Sequence, residues 1–163
     1  MHKRSFLQGT LLAATLLSGL PLRAQTVDTA SVVRNYAELV SANYQDVLAS
    51  ALNLQNAIKA LTAAPSAQGL DDAKKAWLAA REFYGQTEAF RFYSGPIDDD
   101  KGPEGRLNAW PLDESYIDSV AGKPKAGIVN NRKITINKAT LAKLNERGGE
   151  ENIAAGWHAI EFL

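Results

Sequence analysis

The stretch from Val33 to Leu61, VRNYAELVSANYQDVLASALNLQNAIKAL, decides the fold. Its apolar residues fall at Val33, Tyr36, Val40, Tyr44, Val47, Leu48, Ala51, Leu54, Ile58 and Leu61, in steps of three and four. That is the spacing of one face of a long amphipathic helix, and strict alternation of the strand type is absent. Ala64-Pro65-Ser66 ends it, because the proline ring disfavours helical backbone in the residue before it. A second helix is expected from Asp71 or Asp72, either of which can cap an N-terminus. Its face carries Ala73, Trp77, Ala80, Tyr84, Glu88 and Phe92 until Gly95-Pro96 stops it. The fold class expected from this pattern is all-α.

Downstream, residues 94–111 form a long connection rich in Gly, Pro and Asp. A loop of that length is functional or disordered in most domains, and Ile97, Leu107 and Trp110 give this one apolar residues with which to pin itself down. A short helix over Leu112–Val120, a loop over Gly122–Asn131, a helix around Thr140–Arg147 broken by Gly148-Gly149, and a last helix from near Glu150 to Leu163 complete the expectation. The chain stops on Ala-Ile-Glu-Phe-Leu, inside an apolar helix with no capping glycine, which reads as a fragment. No internal repeat is visible.

The other end reads as a leader. His2-Lys3-Arg4 precede an apolar run from Phe6 to Leu20, and Leu22-Arg23-Ala24 offers a small residue at the cut. Residues 1–24 are thus expected to be a cleavable signal peptide, with residues 25–163 one helical domain exported to the periplasm or cell envelope. The run falls short of the roughly 20 residues that cross a bilayer core, so no transmembrane anchor is expected. With 0 Cys there is no thiol for lipidation, disulfides or thiolate metal sites. Cleavage removes Lys3, Arg4 and Arg23 and no acid, leaving 15 basic against 18 acidic residues and a formal charge of −3. Charges are interspersed, so a nucleic-acid partner is not expected.

After cleavage the one remaining histidine is His158, and Glu161 follows three positions later, on the same face of a helix. An imidazole and a carboxylate at that spacing suit iron or zinc, although the same pair is commonly a plain helical hydrogen bond. Gly156 costs helix stability and calls for a close neighbour or a ligand. Familiar hydrolytic patterns fail on the letters. Phe162 stands where the second His of either zinc-protease helix belongs, there is no Gly-x-Ser-x-Gly elbow, and no phosphate loop is present. Asp98-Asp99-Asp100 would need glycine where Pro103 stands to form a calcium loop, and reads as a solvated face. In the second helix Arg81, Glu88 and Arg91 run among Trp77 and Tyr84, either as an internal salt-bridge ladder or as the two sides of a ligand site.

Longer blocks carry a resemblance. Ala76-Trp77-Leu78-Ala79-Ala80-Arg81, Gln86-Thr87-Glu88-Ala89-Phe90-Arg91-Phe92-Tyr93, Gly95-Pro96-Ile97-Asp98, Pro103-Glu104-Gly105 and Leu107-Asn108-Ala109-Trp110-Pro111-Leu112-Asp113-Glu114 are followed by Tyr116-Ile117-Asp118 and Gly148-Gly149-Glu150. Gly156-Trp157-His158-Ala159-Ile160-Glu161 then resembles the hallmark Gly-x-His-x-x-Glu of the imelysin-like family, most closely its iron-regulated protein A branch. The resemblance implies a two-domain helical envelope protein of which this chain is the first half, its C-terminal half missing. It implies a metal site built on His158 and Glu161, with Glu88 and with Arg81 and Arg91 approaching from the second helix. It further implies iron as the cofactor, with zinc the other candidate, a metal ion or iron-bearing envelope partner, and a role in iron acquisition. Metallopeptidase activity of the imelysin type is the alternative.

Overall fold

The computed structural model describes residues 26–163. The expected signal peptide and its cleavage point at Ala24 lie outside the described residues. The chain divides into two compact units, Met1–Asn35 and Tyr36–Leu163. Of the first, the described part opens helix α1, Thr29–Ala63, where the Asp28 carboxylate accepts from the Ala30 amide at 3.1 Å. The description below concerns the second unit.

It is all-α: among the described residues every regular element is helical. Helix α1 turns at Pro65 into α2, Ala67–Gln86. The expected caps at Asp71 and Asp72 are not used. Ser66 caps the helix instead, its hydroxyl accepting from the Gly69 amide at 3.0 Å, so α2 starts at Ala67, ahead of the expected Asp71 or Asp72. With so short a turn the helices run antiparallel. Leu61 meets the Gly69 region at one end, and the Asn43 amide donates to Gln86 Oε1 at 3.2 Å at the other. Between these ends Leu54, Ala80 and Tyr84 are buried together, flanked by Val47, Ala51, Ile58, Ala76 and Trp77. The packed part of the stripe read from the sequence runs from Val47 to Ile58, while Val33, Tyr36 and Leu48 stay exposed.

The α-helical part of α2 ends sooner than the apolar spacing suggests. Thr87, almost fully buried, donates its hydroxyl to the Tyr84 carbonyl at 2.6 Å, and the chain tightens into a 3-10 helix over Thr87–Tyr93. A threonine that bonds back onto the preceding turn favours such tightening.

The remainder is a set of short helices tied by loops: α3 Glu104–Leu107, α4 Glu114–Ile117, α5 Lys138–Leu144 and α6 Trp157–Phe162. Two small cores hold them. Ile117, Ile153 and Ala159 form one with Ala109, Leu112 and Phe162; Ile128, Leu144 and Ala154 form the other with Tyr116, Ile134 and Leu141. The sequence predicts a last helix from near Glu150, but α6 begins at Trp157. The reason is packing. Ile153, with 0% of its surface exposed, enters one core while its neighbour Ala154 enters the other, and successive residues point to opposite sides only in extended backbone.

Candidate functional site

Helix α6 is anchored from below by its first residue. Trp157 joins the α1–α2 core, its ring 5.3 Å from that of Tyr84, and its carbonyl accepts from the Trp77 indole N–H at 3.1 Å. Gly156 makes the approach possible. It has φ +95°, and a Cβ there would stand 2.6 Å from the Leu107 carbonyl oxygen and 2.8 Å from that of Arg106. The close neighbour that the sequence asks for at Gly156 is therefore the backbone of α3.

With Trp157 in the core, the next side chain is largely covered. His158 Nδ1 lies 3.0 Å from Glu161 Oε2, and the two side chains are 16% and 50% exposed. An ionised carboxylate only accepts, so in the neutral imidazole Nδ1 carries the hydrogen and Nε2 presents its lone pair. Among the described residues Nε2 has no hydrogen-bond partner. The indole of Trp110 lies across the imidazole, ring centroids 4.8 Å apart and planes tilted by 54°. Read in the sequence as an apolar pin for the 94–111 loop, Trp110 is instead 68% exposed; Leu107 is the residue that packs on the main core.

The stripe on the second helix does something different. Arg91 gathers carboxylates: Glu104 at 3.3 Å, Asp98 at 3.7 Å and Glu88 at 3.9 Å. It fastens the 94–111 loop to the 3-10 helix that follows α2. Arg81 and Arg91 flank the Tyr84 ring, their guanidinium carbons 5.3 and 5.8 Å from its centroid, which favours both cations. Burial pushes the Tyr84 phenol up to about 12, with the Arg91 charge opposing and Glu104, Tyr44 and Asp98 adding to the rise. A ladder of ion pairs along the stripe is not formed, since among the described residues Arg81 has no ion-pair partner. Arg81 Nη1 and Arg91 Nη2 are buried without a hydrogen-bond partner, and the ion pairs all run to Arg91.

Of the expected site residues, then, His158 and Glu161 meet, Gly156 sets their helix, and Arg91 with Glu88 forms a separate group. Glu88 does not join the histidine: among the described residues no three His, Asp or Glu side chains come close enough to share an ion. The change from α to 3-10 geometry at Thr87 takes Glu88 off the register that would have carried it along the α2 face. A polar cavity of about 450 Å³, lined by Arg91, Glu104, Asn108, Trp110, Glu146 and Glu150, lies beside that group, with Trp110 common to it and to the imidazole. A larger apolar groove of about 570 Å³ runs along α1 from Tyr44 to Lys59 and reaches Trp157 and Ile160.

Sequence reasoning does not single out Trp110, Asp98 or Glu104 as site residues. The acidic run containing Asp98 gives no hint that one of the three turns inward onto Arg91.

Residues 40–163 match the family model described as imelysin, a peptidase family by its name. The chain is also similar to the iron-regulated protein A of Synechococcus elongatus, 32% identical over 121 residues, which are 74% of this chain and 33% of that protein. It thus spans about a third of the length of the relative it matches.

Proposed function

Since the chain belongs to the imelysin family, we propose that it is an iron-regulated component of bacterial iron acquisition that binds iron, or an iron-bearing partner, at His158 and Glu161. Expression under iron control is taken from the name of its relative. Export to the periplasm, through a signal peptide over residues 1–24, belongs to the same proposal. No helix of the described residues is long and apolar enough to cross a membrane.

The observation that carries this reading is the imidazole–carboxylate contact of 3.0 Å at an edge where Glu161 remains half exposed. A nitrogen donor beside a hard oxygen donor suits iron, and zinc is the second candidate. The donors fit such an ion as part of a coordination shell. His158 offers Nε2, while Glu161 either shares the ion or fixes the ring by accepting from Nδ1, the usual partnership for a ligating histidine. This pair supplies at most two donors, and the remaining positions are filled by the partner's own ligands or by water. Bound there, iron would supply a Lewis-acidic centre for hard anionic oxygen ligands.

Titration calorimetry with Fe(II) under anaerobic conditions, and with Zn(II), tests the proposal. His158→Ala should weaken binding at least about tenfold, the order of loss seen when a metal site is disturbed. Equal binding by wild type and variant, or none by either, removes the proposal.

Metallopeptidase activity is the second reading, favoured by the name of the matching family. A hydrolytic zinc site commonly uses three protein ligands and keeps one position for water, and the pair here contributes at most two. Peptide cleavage lost equally in His158→Ala and Glu161→Ala would put this reading first.

A further inference from the structure

We propose that Trp110 is a positioning residue for His158, an inference that rests on reading His158 as a ligand and specifies how its ring is presented. One hydrogen bond, from Nδ1 to Glu161, fixes a single atom of the imidazole and leaves the plane of the ring free to swing about it. The indole supplies the missing constraint. It meets the ring at 4.8 Å with a 54° tilt, inside the range of favourable aromatic contacts.

The two constraints come from independent parts of the chain. Glu161 is on the same helix as the histidine, whereas Trp110 stands between Ala109 and Leu112, which are packed in the core of Ile117, Ile153 and Ala159. Asp113 ties the same segment to the stretch leading into α6, its amide donating to the Glu151 carbonyl at 2.7 Å. The indole is thus held by the platform that also delivers α6.

Trp110 gains little by burial, since 68% of its surface is exposed. Core packing therefore does not account for a tryptophan here. With the indole against the imidazole and Nδ1 engaged, Nε2 is the nitrogen left for a cation. A ring that gives up electron density to a metal ion also becomes a better partner for the indole face.

The test uses the purified chain labelled with ¹⁵N, in which His2 is the one other histidine. Long-range proton–nitrogen NMR of the metal-free protein at neutral pH should find His158 in the Nδ1–H tautomer. Trp110→Ala should keep that tautomer, because Glu161 still accepts from Nδ1, but lose the single fixed set of nuclear Overhauser contacts from the His158 ring protons and weaken Zn(II) and Fe(II) binding about tenfold, while Trp110→Phe restores both to within about threefold, as expected for a supporting contact. Circular dichroism confirms that each variant is folded. If Trp110→Ala keeps the wild-type ring contacts and affinity while His158→Ala loses binding, the positioning role is overturned and the ligand reading stands. If wild type binds neither metal, the ligand reading fails, and the ring contacts still decide whether Trp110 orients the imidazole.

Discussion

Tyr84 concentrates the electrostatics of the main core in one side chain. Its surface is 3% exposed and two guanidinium groups lie within 5.8 Å of its ring centre. The folded phenol keeps its proton to about 12, against 10.0 for a free tyrosine. Between those values the unfolded chain has released a proton that the folded chain still holds, so folding loses stability as pH rises. The contribution is fully present below pH 10.0 and is lost as pH climbs toward about 12. Tyr84→Phe should flatten this alkaline decline, seen as urea midpoints that fall less between pH 9 and pH 11 than those of wild type, in roughly the window set by this linkage. Of the residues in the candidate site, His158 and Glu161 were legible because their meeting needs only one helical turn. Trp110 was not. Its place over the imidazole depends on how a loop 48 residues upstream is folded, as the positions of the two rings record, and no local spacing encodes that.

At the level of elements, the two long helices could be read from periodicity because each packs part of an apolar face on the other. The short ones could not be bounded. α6 starts seven residues after Glu150, since Ile153 and Ala154 must serve different cores before a helix can begin. Where α6 crosses α3, the constraint is steric. Gly156→Ala would strain a backbone at φ +95° and press a methyl group against the Leu107 and Arg106 carbonyls. We expect a loss of at least about 2 kcal/mol, from the left-handed conformation and the displaced backbone together. Urea unfolding measures it, and a loss under about 0.5 kcal/mol, the level of an ordinary surface change, would mean that the crossing is slack.

For the unit as a whole, the apolar groove along α1 is its most unusual surface. Leu48 and Ile160 both line it and both are exposed. Contiguous apolar surface of this kind promotes association. The chain should therefore enhance the fluorescence of an apolar dye and sediment heavier as its concentration rises. Leu48→Gln should reduce both effects, while its unfolding free energy stays within about 0.5 kcal/mol of wild type, as for other exposed positions. Unchanged dye binding in that variant would assign the effect to another surface. The sequence foretold the apolar stripe of α1 but not that only part of it would be covered, because coverage depends on the partners that the fold brings.

The hydrogen bond from the Trp77 indole to the Trp157 carbonyl joins residues 80 positions apart. Closing a loop of that size carries an entropic cost of roughly 4 kcal/mol before any contact repays it. The helical hairpin meets a smaller obstacle, since it can zip outward from the short turn at Pro65, where Leu61 and Gly69 are close along the chain. Assembly accordingly has a chronology: the hairpin can form early, and the imidazole reaches its station beside Trp110 only once the intervening loops have settled.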